Sequence, residues 1–149
     1  LGRPFGLYPC SDGFVSIIVL MPRHWNAMAE WVAETTGNET IMEEVFQDLG
    51  VRMESQDLID TWVEELTVGR TRLELFTEGQ RRGIPITPVN TVSALVDDPH
   101  LLAAQYWSKT QLPNDVEVTV PGAPFRTNSD WWNITPAPLL GQHTETYLG

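Results

Sequence analysis

"TRLELFTEGQRRGIPITPV", residues 71–89, carries both kinds of element from which the rest of the chain is built. Thr71 and Glu74 stand at capping-box spacing, which gives the first free amides of a helix their side-chain acceptors. Gly83 can take the left-handed conformation that closes a helix, so a helix is expected between these two signals. A proline disfavours helix in the residue before it, and Pro85 and Pro88 therefore hold "IPITPV" extended. A helix running straight into a short extended segment sets the pattern to be sought elsewhere.

Upstream, "FVSIIVL" (14–20) is β-branched and apolar and reads as a strand buried on both faces. The Gly- and Pro-rich "LGRPFGLYPCSDG" before it reads as irregular chain ending in an Asp12–Gly13 turn. Pro22 opens a helix whose apolar face includes Trp25, Met28 and Val32 and which Gly37 ends. "TIMEEVFQDLG" (40–50) has Thr40 and Glu43 at capping-box spacing, and a helix closed by Gly50 is expected there. Its stripe would be Met42, Val45, Phe46 and Leu49. Leu58, Ile59, Trp62, Val63 and Leu66 repeat the helical period.

Downstream, Thr91 caps a short helix through Val96, and Asp98–Pro99 starts another over "HLLAAQYW". "DVEVTV" alternates, so Val116, Val118 and Val120 are expected inward, with Glu117 and Thr119 outward. After Pro121 the chain is mostly loop. The fold class is therefore α+β: a small antiparallel sheet with several helices, then a long Pro-rich irregular C-terminal segment. A domain of residues 1–127 is expected, with 128–149 an extended tail lying on some other surface.

Composition narrows the function classes. Of 149 residues 42% are hydrophobic, which suits a globular chain with one usable core. The net charge is -11, from 20 acidic against 9 basic residues, and Lys109 is the sole lysine. Nucleic-acid and anionic-membrane binding both need a cationic face, so neither partner is expected. Phosphate-rich cofactors would lack counter-charge for the same reason. No apolar run is long enough to span a bilayer, and the N-terminus has no signal-peptide pattern, so a cytoplasmic location is the expectation.

The chemistry-bearing residues are sparse. Cys10 stands alone, which excludes an intrachain disulfide and a multi-cysteine metal site; no metal is expected. His24, His100 and His143 are far apart in sequence, and no phosphate loop, HExxH or nucleophile elbow occurs. Glu43–Glu44, Glu64–Glu65 and Asp97–Asp98 fit solvated helix faces and caps better than acid–base dyads. Trp107, Phe125, Trp131 and Trp132 place much aromatic surface in irregular chain, either as core or as interface.

The order of several blocks resembles the CaiB/BaiF family of class III coenzyme A transferases. "YPCSDGFVSI" resembles its strand entry, "EGQRRGIPITPV" its G-[VI]-P-x-x-P-V block, and "VDDPHLLA" the Asp-Pro helix start that follows. "PGAPFRTN" and "APLLGQHT" are similar to its closing elements, which makes His143 part of a tail signature. The resemblance implies the small C-terminal domain of a longer, cytoplasmic, homodimeric enzyme that moves CoA between an acyl-CoA thioester and a free carboxylate. It further implies that a larger domain supplies the CoA site and a nucleophilic aspartate. No position here matches that aspartate's motif, so no catalytic residue is assigned and the segment alone is expected to be inactive. Phe5, Tyr8 and Cys10, in the segment where a substrate-facing loop is expected, are the candidates for the acyl pocket. The same scaffold also serves alpha-methylacyl-CoA racemases, and a stand-alone binding module is a third reading.

Overall fold

The computed structural model describes residues 4–113, 115–129 and 131–149. The chain divides into two compact units, Leu1–Val89 and Asn90–Gly149.

The first unit begins with two strands, β1 (Phe5–Cys10) and β2 (Gly13–Ile18), and ends with a third, β3 (Ile86–Pro88). They form one antiparallel sheet in the order β1-β2-β3, with Tyr8 opposite Val15 and Ile17 opposite Ile86. Between β2 and β3 lie α1 (Pro22–Thr36), two 3₁₀ turns (Glu39–Met42 and Glu44–Gln47), α2 (Leu49–Glu54), α3 (Gln56–Thr67) and α4 (Arg72–Arg82).

One face of the sheet holds the core. Val15, Ile17 and Ile86 meet Trp25, Met28 and Val32 of α1, Ile59, Val63 and Leu66 of α3, and Leu75 of α4, all without solvent exposure. Each such side chain stabilises the fold by roughly 1.5–3 kcal/mol. Among the described residues, every buried hydrophobic side chain belongs to this first unit.

The α4–β3 run forms as its sequence predicts. Thr71 and Glu74 make the full capping box, and Gly83, at φ 71°, ends the helix. Gly79 is needed for a different reason: a Cβ there would lie 1.9 Å from Cγ2 of Ile86, so α4 crosses β3 at glycine distance.

Five expectations need correction. The N-terminal segment is a strand, not irregular chain. Its residues Gly6, Tyr8 and Cys10 share a face with Ile17, Val15 and Gly13 of β2. Pro9 is tolerated because β1 is an edge strand, where a missing N–H breaks no ladder bond. Strand β2 is buried on one face only: Val15 and Ile17 are inaccessible, whereas Phe14 is 51% exposed.

The third correction concerns residues 40–50. The expected box does not form; the Asn38 side chain instead accepts from the Thr40 amide. Asp48 accepts from the Gly50 and Val51 amides at 2.7 and 3.1 Å and starts α2. These short polar side chains compete with a continuous helix and break it into 3₁₀ turns. Ile41 and Phe46 are then the buried residues, and Met42, Val45 and Leu49 are half-exposed.

The second unit contains α5 (Val92–Val96), α6 (Pro99–Ala103), an antiparallel hairpin of β4 (Trp107–Leu112) and β5 (Val116–Pro121), and α7 (Thr144–Leu148). Thr91 and Asp98 cap α5 and α6 as expected. The fourth correction is the end of α6. The Gln105 amide bonds to Leu102 O and the Tyr106 amide to Leu101 O, with Gln105 at φ 49°. This closure stops the helix before Tyr106 and sends Trp107 into a strand. On β5 the alternation holds, with Val118 and Val120 half-buried and Glu117 and Thr119 exposed, but Val116 remains 53% exposed.

Among the described residues, no helix is long and apolar enough to cross a membrane.

Candidate functional site

The β1–β2 hairpin separates the three pocket candidates. Alternation places Tyr8 and Cys10 on the helix-covered face and Phe5 on the opposite one. Tyr8 is buried, and its hydroxyl donates to Asp60 Oδ1 of α3 at 2.5 Å. Cys10 is half-buried near the hairpin tip, with Sγ 3.5 Å from Asp12 Oδ1. Burial pushes its thiol up, which lowers the thiolate fraction on which nucleophilicity depends. Phe5 is half-buried on the outer face, which it shares with the exposed Leu7 and Phe14. That outer apolar face is legible only once β1 is recognised as a strand.

The hairpin tip is fastened to the start of α4. Asp12 Oδ1 accepts from the Arg72 amide at 2.7 Å, and Asp12 Oδ2 lies 3.3 Å from Arg72 Nε. The backbone bond from Arg72 is the largest influence holding the Asp12 carboxyl below its usual range. The Ser11 amide donates to Arg70 O at 2.8 Å. Sequence spacing offered no signal for this contact, because its residues lie far apart in the chain.

A second polar cluster joins α1 and α4. Arg82 pairs with Glu34 and Glu78, Arg81 also pairs with Glu78, and the Arg82 guanidinium lies 5.4 Å from the Trp31 ring centre. The two guanidinium groups hold the Glu78 carboxyl down at about 2. Beside it an open groove of about 460 Å³ is lined by Trp31, Arg70, Leu73, Glu74, Thr77 and Glu78. Its charged groups are already engaged: Arg70 donates to Leu66 O and Thr35 Oγ1, Glu74 caps α4, and Glu78 pairs with Arg81 and Arg82.

His24 stands in the first unit, and His100 and His143 in the second. His24 is buried in the first turn of α1, and its Nε2 accepts from Arg23 Nε at 3.3 Å. Burial first, and Arg23 second, lower its pKa. His143 is exposed at the start of α7, its ring 6.2 Å from that of Tyr147. The acidic pairs behave as solvated or capping groups; Asp98 accepts from the His100 and Leu101 amides. Among the described residues, no group of His, Cys, Asp and Glu could hold a metal ion.

Arg52 was not singled out by any motif, yet it is a buried arginine. Its Nη1 donates to Phe46 O and Gln47 O, and its guanidinium lies 4.8 Å from the Trp25 ring centre. In the second unit, Phe125 stacks on Trp131 at 4.5 Å, and Trp132 meets Trp131 edge-on. All three rings remain 42–59% exposed.

Phe5, Tyr8, Cys10 and the joined blocks of sequence lie in the region covered by the model of CoA-transferase family III, which matches residues 2–144. The chain belongs to CoA-transferase family III. Over 153 aligned residues it is 31% identical to a probable CoA-transferase of Mycobacterium tuberculosis, covering 99% of this chain and 19% of that protein. It is 30% identical to the succinyl-CoA:(R)-benzylsuccinate CoA-transferase subunit BbsE of Thauera aromatica, covering 99% of this chain and 39% of that one. A formyl-CoA:oxalate CoA-transferase of Streptomyces avermitilis is 23% identical, with 36% of its length covered. The chain thus spans well under half the length of these relatives.

Two solved structures superpose on nearly the whole chain. A CAIB/BAIF family protein from Brucella suis gives a TM-score of 0.73 at 21% identity, covering 97% of this chain and 36% of that one. Rv3272 from Mycobacterium tuberculosis gives 0.74 at 20% identity, covering 99% and 40%. At these identities the likeness is one of fold. The mixed α+β class and the family expected from the sequence both hold.

Proposed function

We propose that this chain is the small-domain part of an enzyme that transfers CoA from an acyl-CoA thioester to a free carboxylate. The observation that carries this reading is the family match over residues 2–144, in a chain spanning 19–39% of its CoA-transferase relatives. In the proposed reaction an aspartate of a larger domain attacks the thioester carbonyl and releases the CoA thiolate. The CoA thiolate attacks the aspartyl carbonyl of the mixed anhydride, which releases the donor carboxylate and leaves an aspartyl-CoA thioester. The acceptor carboxylate then displaces the thiolate to form a second anhydride, and the thiolate attacks its acceptor acyl carbonyl, forming the new acyl-CoA and freeing the aspartate. The anhydride is lost to hydrolysis if water enters. The role proposed for this chain is to cover the acyl end and exclude water.

Its charge fits that division of labour. At net charge -11, the CoA phosphates are better held elsewhere. Phe5 and its outer-face neighbours supply apolar contact for an acyl group, whereas Tyr8 and Cys10 would act from behind β1 by fixing the strand. The exposed aromatic side chains of 125–132 support packing of the tail, 128–149, on a larger domain or the other subunit of a homodimer. A cytoplasmic location belongs to the same proposal. CoA-transferases among the curated relatives favour transfer over racemisation.

The test is an assay of the enzyme in which this segment sits. Carboxylate-dependent CoA exchange supports the reading. Incorporation of solvent deuterium next to the thioester, without exchange, would replace it with a racemase.

A further inference from the structure

We infer that Arg72 is a latch coupling the β1–β2 hairpin tip to the point where the chain leaves the first unit. One guanidinium serves both ends. Its Nε faces Asp12 Oδ2 at 3.3 Å, and its Nη1 donates to Val89 O at 2.9 Å. Val89 is the last residue of the first unit. Its amide donates to Phe14 O at 2.9 Å, so both backbone polar groups of Val89 are held, one by β2 and one by Arg72.

Several features make this a shared restraint and not two separate contacts. The Arg72 amide also donates to Asp12, so carboxylate and guanidinium are fixed in relative position from the start of α4. Gly13, at φ 144°, takes a backbone conformation that favours glycine, and the Arg72 side chain passes over it, its Cδ and Nε 3.5 Å from where a Cβ would stand. The Arg72 side chain is 23% exposed and that of Asp12 41%, so the pair is open to competition from solvent and solutes. A group that takes the Asp12 carboxylate releases one end of the guanidinium, and the hold on Val89 weakens with it. Contacts at the hairpin tip are thereby transmitted to Val89. Arg72 is a positioning residue in this scheme, and Lys cannot replace it, since one ammonium cannot present two fixed donors to separated acceptors.

Amide exchange by NMR on Asp12→Ala, Arg72→Ala and Arg72→Lys tests the latch, with the Val89 amide as reporter and the bonded amides of Ile18 and Val19 as internal controls. Exchange at Val89 is expected to quicken by roughly two- to fivefold in all three variants, the scale of a partly exposed charged contact. The control amides are expected to keep their native rates. The double variant Asp12→Ala/Arg72→Ala is expected to show no more than the larger single effect, as for one coupled unit. The inference is overturned if Asp12→Ala leaves Val89 unchanged, if Arg72→Lys protects Val89 as Arg does, or if the controls quicken to the same extent.

Discussion

The Tyr8 hydroxyl donates to the Asp60 carboxylate at 2.5 Å, fastening edge strand β1 to α3 across 52 positions of sequence. The ring of Tyr8 is buried, so the bond is part of the fold's frame. Tyr8→Phe keeps the ring and removes the donor. It is expected to cost about 1–3 kcal/mol, since a hydrogen bond to a charged group lies in that range. Urea unfolding measures it; a change within about 0.3 kcal/mol, smaller than any bond in that range, would show that the contact carries no stability.

The approach of α4 to β3 gives a sharper contrast between two glycines. Gly79→Ala gains helix propensity of about 1 kcal/mol. Against this, its Cβ would sit 1.9 Å from Ile86 Cγ2, and overpacking of that kind costs about 1–3 kcal/mol. Net destabilisation is expected. Gly69 has no atom near its added Cβ, so Gly69→Ala is expected to be neutral or to stabilise by about 0.4–1 kcal/mol. Equal effects at the two positions would contradict the packing described for α4.

His24 sets a pH dependence of known sign. Burial lowers its folded-state pKa from the ordinary 6.5, so the unfolded chain takes the proton first as pH falls. Stability from the neutral, buried ring is complete above 6.5 and is lost as pH falls through the depressed folded value. His24→Gln is expected to flatten stability against pH just below 6.5. Glu78 acts later: its carboxyl, held at about 2, contributes above 4.5 and loses that contribution as pH falls toward 2. A native-like slope below 6.5 in His24→Gln would remove His24 from this account.

Local signals were legible where a complete motif sat next to a stop. Thr71, Glu74 and Gly83 bounded α4, and Asp98 with Pro99 started α6, because capping depends on residues within one turn. Reading failed where short polar residues could cap in more than one register, as Asn38 and Asp48 do around the 3₁₀ turns. It failed again at Gln105, which closes α6 without the glycine that normally announces a left-handed residue. Strand β1 was hidden by Pro9, whose tolerance depends on edge position, a tertiary property.

The site was less legible than the fold. Phe5, Tyr8 and Cys10 were drawn from one stretch, but strand alternation divides them between two faces. Arg72 and Arg52 carry no motif, and their partners are a distant carboxylate and backbone carbonyls. Pairings of that kind are set by the fold, and the sequence shows no spacing to mark them.

The proposed division of labour is tested most directly by assaying CoA exchange with the purified 149-residue chain and with the enzyme that carries it behind a larger domain. Exchange between an acyl-CoA and a free carboxylate is expected for the longer enzyme alone, with none above background for the chain by itself. Turnover by the isolated chain would contradict the account, because the account assigns the nucleophile to a larger domain.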